Sequence, residues 1–240
     1  MDIFFTIIEY IGIIAFSVAG AMVAIDKEAD IVGVLFLALT TAFGGGIMRD
    51  LFLGHTPPRF FTEYQIEILV SLASALAVFI FASICKRTFL EKERLIGFVN
   101  NFFDAAGLGI FSVYSANMAV EMGYTAPIVV ISMGVIASVG GGLVRDLILR
   151  DIPFIIRKHV YFVAALFGAC TYYLMFVVLS LNPVAASFAG FLVTFVLRIL
   201  ATVFKWNLPR AITFSGLVQS DVPTDGSKKD SEDTENSKNI

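Results

Sequence analysis

The sequence predicts an all-α membrane protein with seven transmembrane helices, six of them arranged as a 3+3 inverted repeat and one added at the end. Three observations carry that prediction. Of the 240 residues, 58% are hydrophobic and only 15% charged, with a mean hydropathy of +0.84; a water-soluble chain of this length needs far less apolar surface. Apolar runs of near-spanning length recur along the chain. One stretch occurs twice, as Gly44-Gly45-Gly46-Ile47-Met48-Arg49-Asp50-Leu51 and as Gly140-Gly141-Gly142-Leu143-Val144-Arg145-Asp146-Leu147.

A bilayer core takes about 20 apolar residues per helix. On that length the spans fall at 3–25, 31–53, 65–85, 98–120, 126–149, 160–180 and 183–204. The first lacks a basic leader and a small-residue cleavage site, so it reads as a span rather than a removed signal peptide. Residues 26–30 are polar and join it to the second span. That span carries Ala38, Ala42 and Gly46 at intervals of four, and the fifth carries Gly134, Ser138 and Gly142; small residues at this interval let helices approach closely. Pro57-Pro58 and Pro153 end helices, whereas Pro183 after Asn182 starts one without losing a needed hydrogen bond. Ala186 and Gly190 suit a helix contact in the seventh span, and Arg198 reads as snorkelling to the interface. Cys85 and Cys170 lack metal-ligand spacing and read as packing residues. His55 and His159 read as interfacial. The domains are therefore 1–88, a first three-helix repeat; 95–181, a second, inverted one; 182–206, the seventh helix; and 207–240, a polar tail too poor in apolar residues to bury a core and expected to be disordered in the cytoplasm.

Net charge is −3 and says little. The placement of the basic residues says more. Lys27, Lys86, Arg87, Lys92, Arg94, Arg150, Arg157, Lys158, Lys205 and Arg210 fall on one side of a seven-span chain, with Arg59, and Arg49 if it is counted, on the other. The positive-inside rule then puts the C-terminus in the cytoplasm and the N-terminus outside.

The repeat extends beyond the glycines. A shift of 95 places Glu9, Gly12, Phe16, Ser17, Val18, Ala21 and Ala24 on Asp104, Gly107, Phe111, Ser112, Val113, Ala116 and Ala119. A shift of 96 places Gly44–Gly46, Arg49, Asp50, Leu51, Leu53 and Pro57 on Gly140–Gly142, Arg145, Asp146, Leu147, Leu149 and Pro153. Three spans per repeat is an odd number, so the second copy enters the membrane from the opposite side, an arrangement typical of transporters and shared by some channels.

Each glycine triplet costs about 1 kcal/mol per residue in helix propensity relative to Ala. Helices broken inside hydrocarbon persist only where the freed backbone is buried in protein or faces water, and ionisable groups at that depth are functional by default. The second and fifth helices, broken at Gly44, Gly45, Gly46 and Gly140, Gly141, Gly142, therefore read as a solute or ion path whose carbonyl oxygens replace part of a cation's hydration shell. Thr41 and Ser138 are placed to add hydroxyl oxygens. Arg49 and Asp50 point about 100° apart on a helix, as do Arg145 and Asp146, so each is expected to find partners elsewhere. The arginines become latches for the bent helices, and the aspartates place negative charge near opposite mouths. Packing alone explains the small-residue stripes, and snorkelling is the competing account of Arg49 and Arg145. Glu9 and Asp104 read as solvated caps or vestibule groups.

These motifs resemble the trimeric intracellular cation (TRIC) channel family in its prokaryotic branch, whose paired UPF0126-type repeats also carry a glycine-transporter label. The resemblance covers the chain from Glu9 to Phe204 and rests on the two Gly-Gly-Gly-x-x-Arg-Asp motifs, the three-plus-three arrangement and the seventh helix. It implies a homotrimer with one pore per protomer between kinked second and fifth helices, conducting monovalent cations, chiefly potassium, in a bacterial plasma membrane. It implies no cofactor beyond permeant potassium or sodium and bound lipid, no metal beyond transient monovalent cations, and no nucleic-acid partner. The lysine that animal members carry near the second triplet has no counterpart in Leu143-Val144-Arg145.

A secondary transporter for a small zwitterion such as glycine is the alternative, since inverted repeats with broken helices suit it equally. An enzyme is not expected: no Ser-His or Cys-His arrangement, His-Glu-x-x-His or paired catalytic carboxylates stand out.

Overall fold

Polar residues at the ends of the apolar runs decide where each helix starts and stops. The structure, a computed structural model, describes residues 3–85, 93–153, 160–204 and 206. Its helices are α1 (Ile3–Asp26), α2 (Ile31–Phe52), α3 (Arg59–Thr62), α4 (Gln65–Ile84), α5 (Glu93–Glu121), α6 (Pro127–Ile148), α7 (Val160–Tyr173) and α8 (Pro183–Val203). A π-helical turn, Leu174–Val178, continues α7. All but the short α3 give spans long and apolar enough to cross a membrane, seven among the described residues. The chain is a multi-pass membrane protein. Lys86, Arg87, Lys92, Arg157, Lys158, His159, Lys205, Arg210 and the tail at 207–240 lie outside the described residues.

Caps explain the boundaries. Asp30 accepts a hydrogen bond from Gly33 N at 2.8 Å and starts α2; Asn182 does the same for Val184 N at 2.8 Å, with Pro183 in the first turn of α8. Both satisfy helix N–H groups that have no intrahelical partner. The C-termini of α2 and α6 share one motif. Gly54 N donates to Leu51 O and His55 N to Asp50 O; Arg150 N donates to Leu147 O and Asp151 N to Asp146 O. Gly54 and Arg150 both have positive φ, 76° and 55°, as this left-handed cap requires. The ends of α1 and α5 match in the same way, with Glu28 at φ 57° and Gly123 at φ 90°.

One expectation is corrected. Neither α2 nor α6 is broken at its glycines: both triplets lie inside continuous α-helix. A few kcal/mol of propensity is outweighed because hydrocarbon offers the freed backbone no partner and because these glycines carry a close helix contact.

The centre is a four-helix arrangement of α1, α2, α5 and α6. The Phe16 and Phe111 rings, matched residues of the two repeats, stack on each other with centroids 5.3 Å apart and planes 3° from parallel. Gly12 faces Phe111 and Gly107 faces Phe16, so the α1–α5 contact is reciprocal. Helix α8 packs on α7 through Gly190 and Gly168, which meets the expectation of a contact at Gly190. Cys85 and Cys170 are free and partly buried.

Candidate functional site: a glycine crossing between two buried charged clusters

Helices α2 and α6 cross at their glycines. A Cβ on Gly45 would overlap the carbonyl oxygen of Ala137, and one on Gly141 would overlap that of Thr41. A Cβ on Gly44 would lie 3.4 Å from Gly141 Cα, and one on Gly140 would lie 3.0 Å from Gly45 Cα. Thr41 and Ala137, like Gly44 and Gly140, are 96 residues apart, so every contact has its mirror. Backbone meets backbone at this crossing, and only glycine permits that approach.

One turn beyond each triplet an Arg-Asp pair is shut inside the protein. Arg49 is 1% exposed and Arg145 3%. Arg49 donates from Nε and Nη2 to Asp50 Oδ1 at 3.0 and 2.7 Å, and from Nη1 to Ser115 Oγ at 3.2 Å. Asp50 Oδ2 accepts the backbone N–H of Arg59 at 3.0 Å, tying the end of α2 to α3. Arg145 Nε donates to Asp146 Oδ1 at 2.9 Å, with Nη2 2.8 Å from the same oxygen. The expectation that neighbouring Arg and Asp must seek separate partners is thus corrected. The Cα–Cβ directions do diverge, but a long arginine stem folds back, and buried charges stay buried only when paired. Snorkelling of these arginines is also excluded by their burial.

The two pairs sit in clusters that differ. In the first, Glu9 of α1 is buried, 4% exposed, and lines a small cavity with Ile13, Gly46, Arg49, Tyr64 and Phe111 among others. The hydroxyl of Tyr114 in α5 hydrogen-bonds to Glu9, and so does that of Tyr64, which precedes α4. Burial pushes its phenol up to about 12, so it remains a neutral donor. Tyr10 donates to Glu67 at 2.9 Å farther out. In the second cluster Asp104, 6% exposed, lies 3.9 Å from Arg145 Nη1 and 3.5 Å from Arg198 Nη2, and accepts from Tyr161 OH at 3.4 Å. The Arg198 guanidinium also stacks over the Tyr161 ring, 4.6 Å from its centroid.

Glu9 and Asp104 are therefore not solvated caps, and Arg198 does not snorkel; α8 delivers it to the second cluster. The Thr41 hydroxyl is turned back on Leu37 O at 2.6 Å and packs against Gly20 of α1, so Thr41 contributes its carbonyl to the crossing. Ser138 likewise donates to Val135 O at 3.0 Å. Tyr64, Tyr161 and Ser115 were missed by sequence reasoning. Only the shared acid at Glu9 and Asp104, lodged within an apolar run, signalled that such partners must exist.

The family model described as "Glycine transporter" matches the chain twice, over residues 6–83 and 101–177. The UPF0126 membrane protein YvgT of Bacillus subtilis is 34% identical over 206 residues, covering 85% of this chain and 94% of the relative. A solved structure of a TRIC cation channel, described for the structural basis of its conductance, superposes with a TM-score of 0.74 at 35% identity, covering 88% of this chain and 98% of the other. The TRIC trimeric intracellular cation channel orthologue from Rhodobacter sphaeroides does so with a TM-score of 0.75 at 33% identity, covering 85% and 100%. The chain belongs to the family that this model describes, with the family unit present as two repeats.

Proposed function

We propose that this member of the family is a monovalent cation channel, permeable to potassium, with one ion path per protomer of a homotrimer. The likeness to solved TRIC cation channels supports the reaction class. The observation that carries the location is the reciprocal crossing of α2 and α6 at Gly44–Gly46 and Gly140–Gly142. In this reading the two repeats are an inverted pair, the crossing is the constriction, and the N-terminus faces outward from a bacterial plasma membrane. The tightest approaches at Gly45 and Gly141 are to backbone carbonyls, so a small separation of the helices opens the path and brings the carbonyls of Thr41 and Ala137 to its wall. The Arg49-Asp50 and Arg145-Asp146 pairs brace the helix ends on either side. Their charges are mutually neutralised, so they shape the path and leave the ion to backbone oxygens. No enzymatic step is part of this reading.

The test is ion flux through purified protein in liposomes, in potassium, sodium and chloride, with and without glycine. Cation-selective single-channel steps indifferent to glycine are expected, together with their loss in Gly45→Leu and Gly141→Leu variants that still assemble. The family's description as a glycine transporter favours one second reading. Saturable, ion-coupled glycine uptake with silent bilayers would replace the channel by a transporter built on the same crossing.

A further inference from the structure

The three glycines of each triplet meet three different things. The second, Gly45 or Gly141, lies against a carbonyl of the opposite helix. The third, Gly46 or Gly142, lies beside the arginine that follows it: a Cβ there would be 3.7 Å from Nη2 of Arg49 or of Arg145. The first, Gly44 or Gly140, faces a side chain of the opposite helix, Val144 or Met48, which are matched residues under the shift of 96. At the second glycine the two repeats make the same contact. At the first they do not. A Cβ on Gly140 would lie 2.9 Å from Met48 Sδ, whereas one on Gly44 would lie 3.7 and 3.8 Å from Val144 Cβ and Cγ2. Both side chains are half-buried.

The two residues differ in freedom as well as in reach. Methionine is unbranched, with three rotatable bonds and a soft thioether that fills irregular gaps. Valine is branched at Cβ and holds nearly a single rotamer in a helix. We propose that Met48 is the movable gate of the ion path between α2 and α6, and that Val144 is its fixed counterpart. The inference rests on the conduction reading and deepens it. When the helices part at Gly45 and Gly141, the Met48 thioether still lies over Gly140 and fills the gap. An apolar group in so narrow a passage gates it by excluding water. The hydroxyls of Thr41 and Ser138 are turned back on their own helices, and Arg49 is engaged by Asp50, so none of the three wets the passage. Rotation of the Met48 side chain clears Gly140 without moving backbone. Side-chain rotation is far faster than collective helix motion, so this gate sets the size of the unitary current and not its duration.

Single-channel recording of the purified protein in planar bilayers, in potassium chloride, tests the gate. Met48→Ala should raise the unitary conductance about fivefold. Val144→Met, which gives Gly44 a thioether of the same reach, should lower it. A second measurement reads the position without current. Met48→Cys is made in a chain that also carries Cys85→Ala and Cys170→Ala, reconstituted in liposomes and treated with a membrane-impermeant cationic methanethiosulfonate. A thiol reacts as its thiolate, which apolar surroundings suppress, so modification seen by mass spectrometry reports water at that position. Modification is expected, together with loss of potassium flux; Val144→Met and this labelling keep the gate testable if Met48→Ala fails to assemble. A conductance in Met48→Ala equal to that of the wild type, or a Met48→Cys thiol that stays unmodified, would overturn the gate. A wild-type protein without cation steps would overturn the conduction reading instead, and the labelling would then still decide whether Met48 stands in an aqueous passage.

Discussion

Glu9 and Asp104 occupy matched positions in the two repeats, both buried, both near an Arg-Asp pair that caps a glycine-rich helix. Their surroundings are not the same. Asp104 is held by two guanidinium groups and a phenol, whereas Glu9, beside a small cavity, is held by the phenols of Tyr114 and Tyr64 and has no ion pair within 4 Å among the described residues. The difference comes from α8, an addition outside the repeat that fills one cluster and leaves its counterpart open. A duplicated scaffold thereby acquires one acid braced by ion pairs and one held by phenol hydrogen bonds.

The largest expected effect attacks that contrast directly. Asp104→Asn strips the counter-charge from Arg198 and weakens that of Arg145, and should cost about 3–5 kcal/mol, the usual penalty for breaking a buried ion pair. Glu9→Gln removes no ion pair within 4 Å among the described residues and keeps an acceptor for the Tyr114 and Tyr64 hydroxyls, and should cost about 1 kcal/mol or less. Similar losses of Tm in the two variants would erase the distinction between the clusters. The glycine crossing makes the opposite prediction, that of equality. Gly45→Ala and Gly141→Ala each force a methyl into a carbonyl of the other helix, and each should destabilise by about 1–3 kcal/mol. Unequal values in detergent unfolding would show that the mirrored contacts do not share the load. Tyrosines sharpen the comparison further. Tyr161→Phe loses a hydrogen bond to Asp104 and should cost about 1 kcal/mol; Tyr64→Phe leaves Glu9 the Tyr114 hydroxyl and should cost about 0.5 kcal/mol. The smallest effect lies at the surface, where Lys27 and Asp151 meet at 2.7 Å with both side chains well exposed. Lys27→Ala should change stability by no more than about 1 kcal/mol, and less at high salt.

Much of the fold was legible because hydrocarbon imposes length and apolarity on every span. The starts of α2, α4 and α8 coincide with the expected ones, since a polar or proline boundary marks each. Helix α5 already runs at Glu93, ahead of the expected 98, because the charged Glu93-Arg94 pair hid these turns from a reading based on apolarity. The short α3 and the π-helical turn after Tyr173 were invisible for a related reason: neither changes the hydropathy of its run. At the site, the glycines and the Arg-Asp pairs were found from their repetition, but their geometry was misjudged. Propensity alone suggested broken helices where close packing keeps α2 and α6 continuous. Backbone direction alone suggested that Arg49 and Asp50 diverge, while the length of the arginine stem lets them close on each other. Arg198 was read as a surface-seeking residue because its partner, Asp104, is far away in sequence.

The mirrored contacts between α2 and α6 have one further consequence. Where Gly45 meets Ala137 and Gly141 meets Thr41, one surface serves as both partners, the defining property of a self-complementary interface. A polypeptide of half this length, carrying one triplet and present in two copies, can assemble the same crossing as a homodimer. Joining the copies in one chain adds what a homodimer of identical halves forbids: each half is free to change alone. The guanidinium that α8 brings to only one of the two acidic positions is such a change: symmetry is kept in the backbone and given up in the charge.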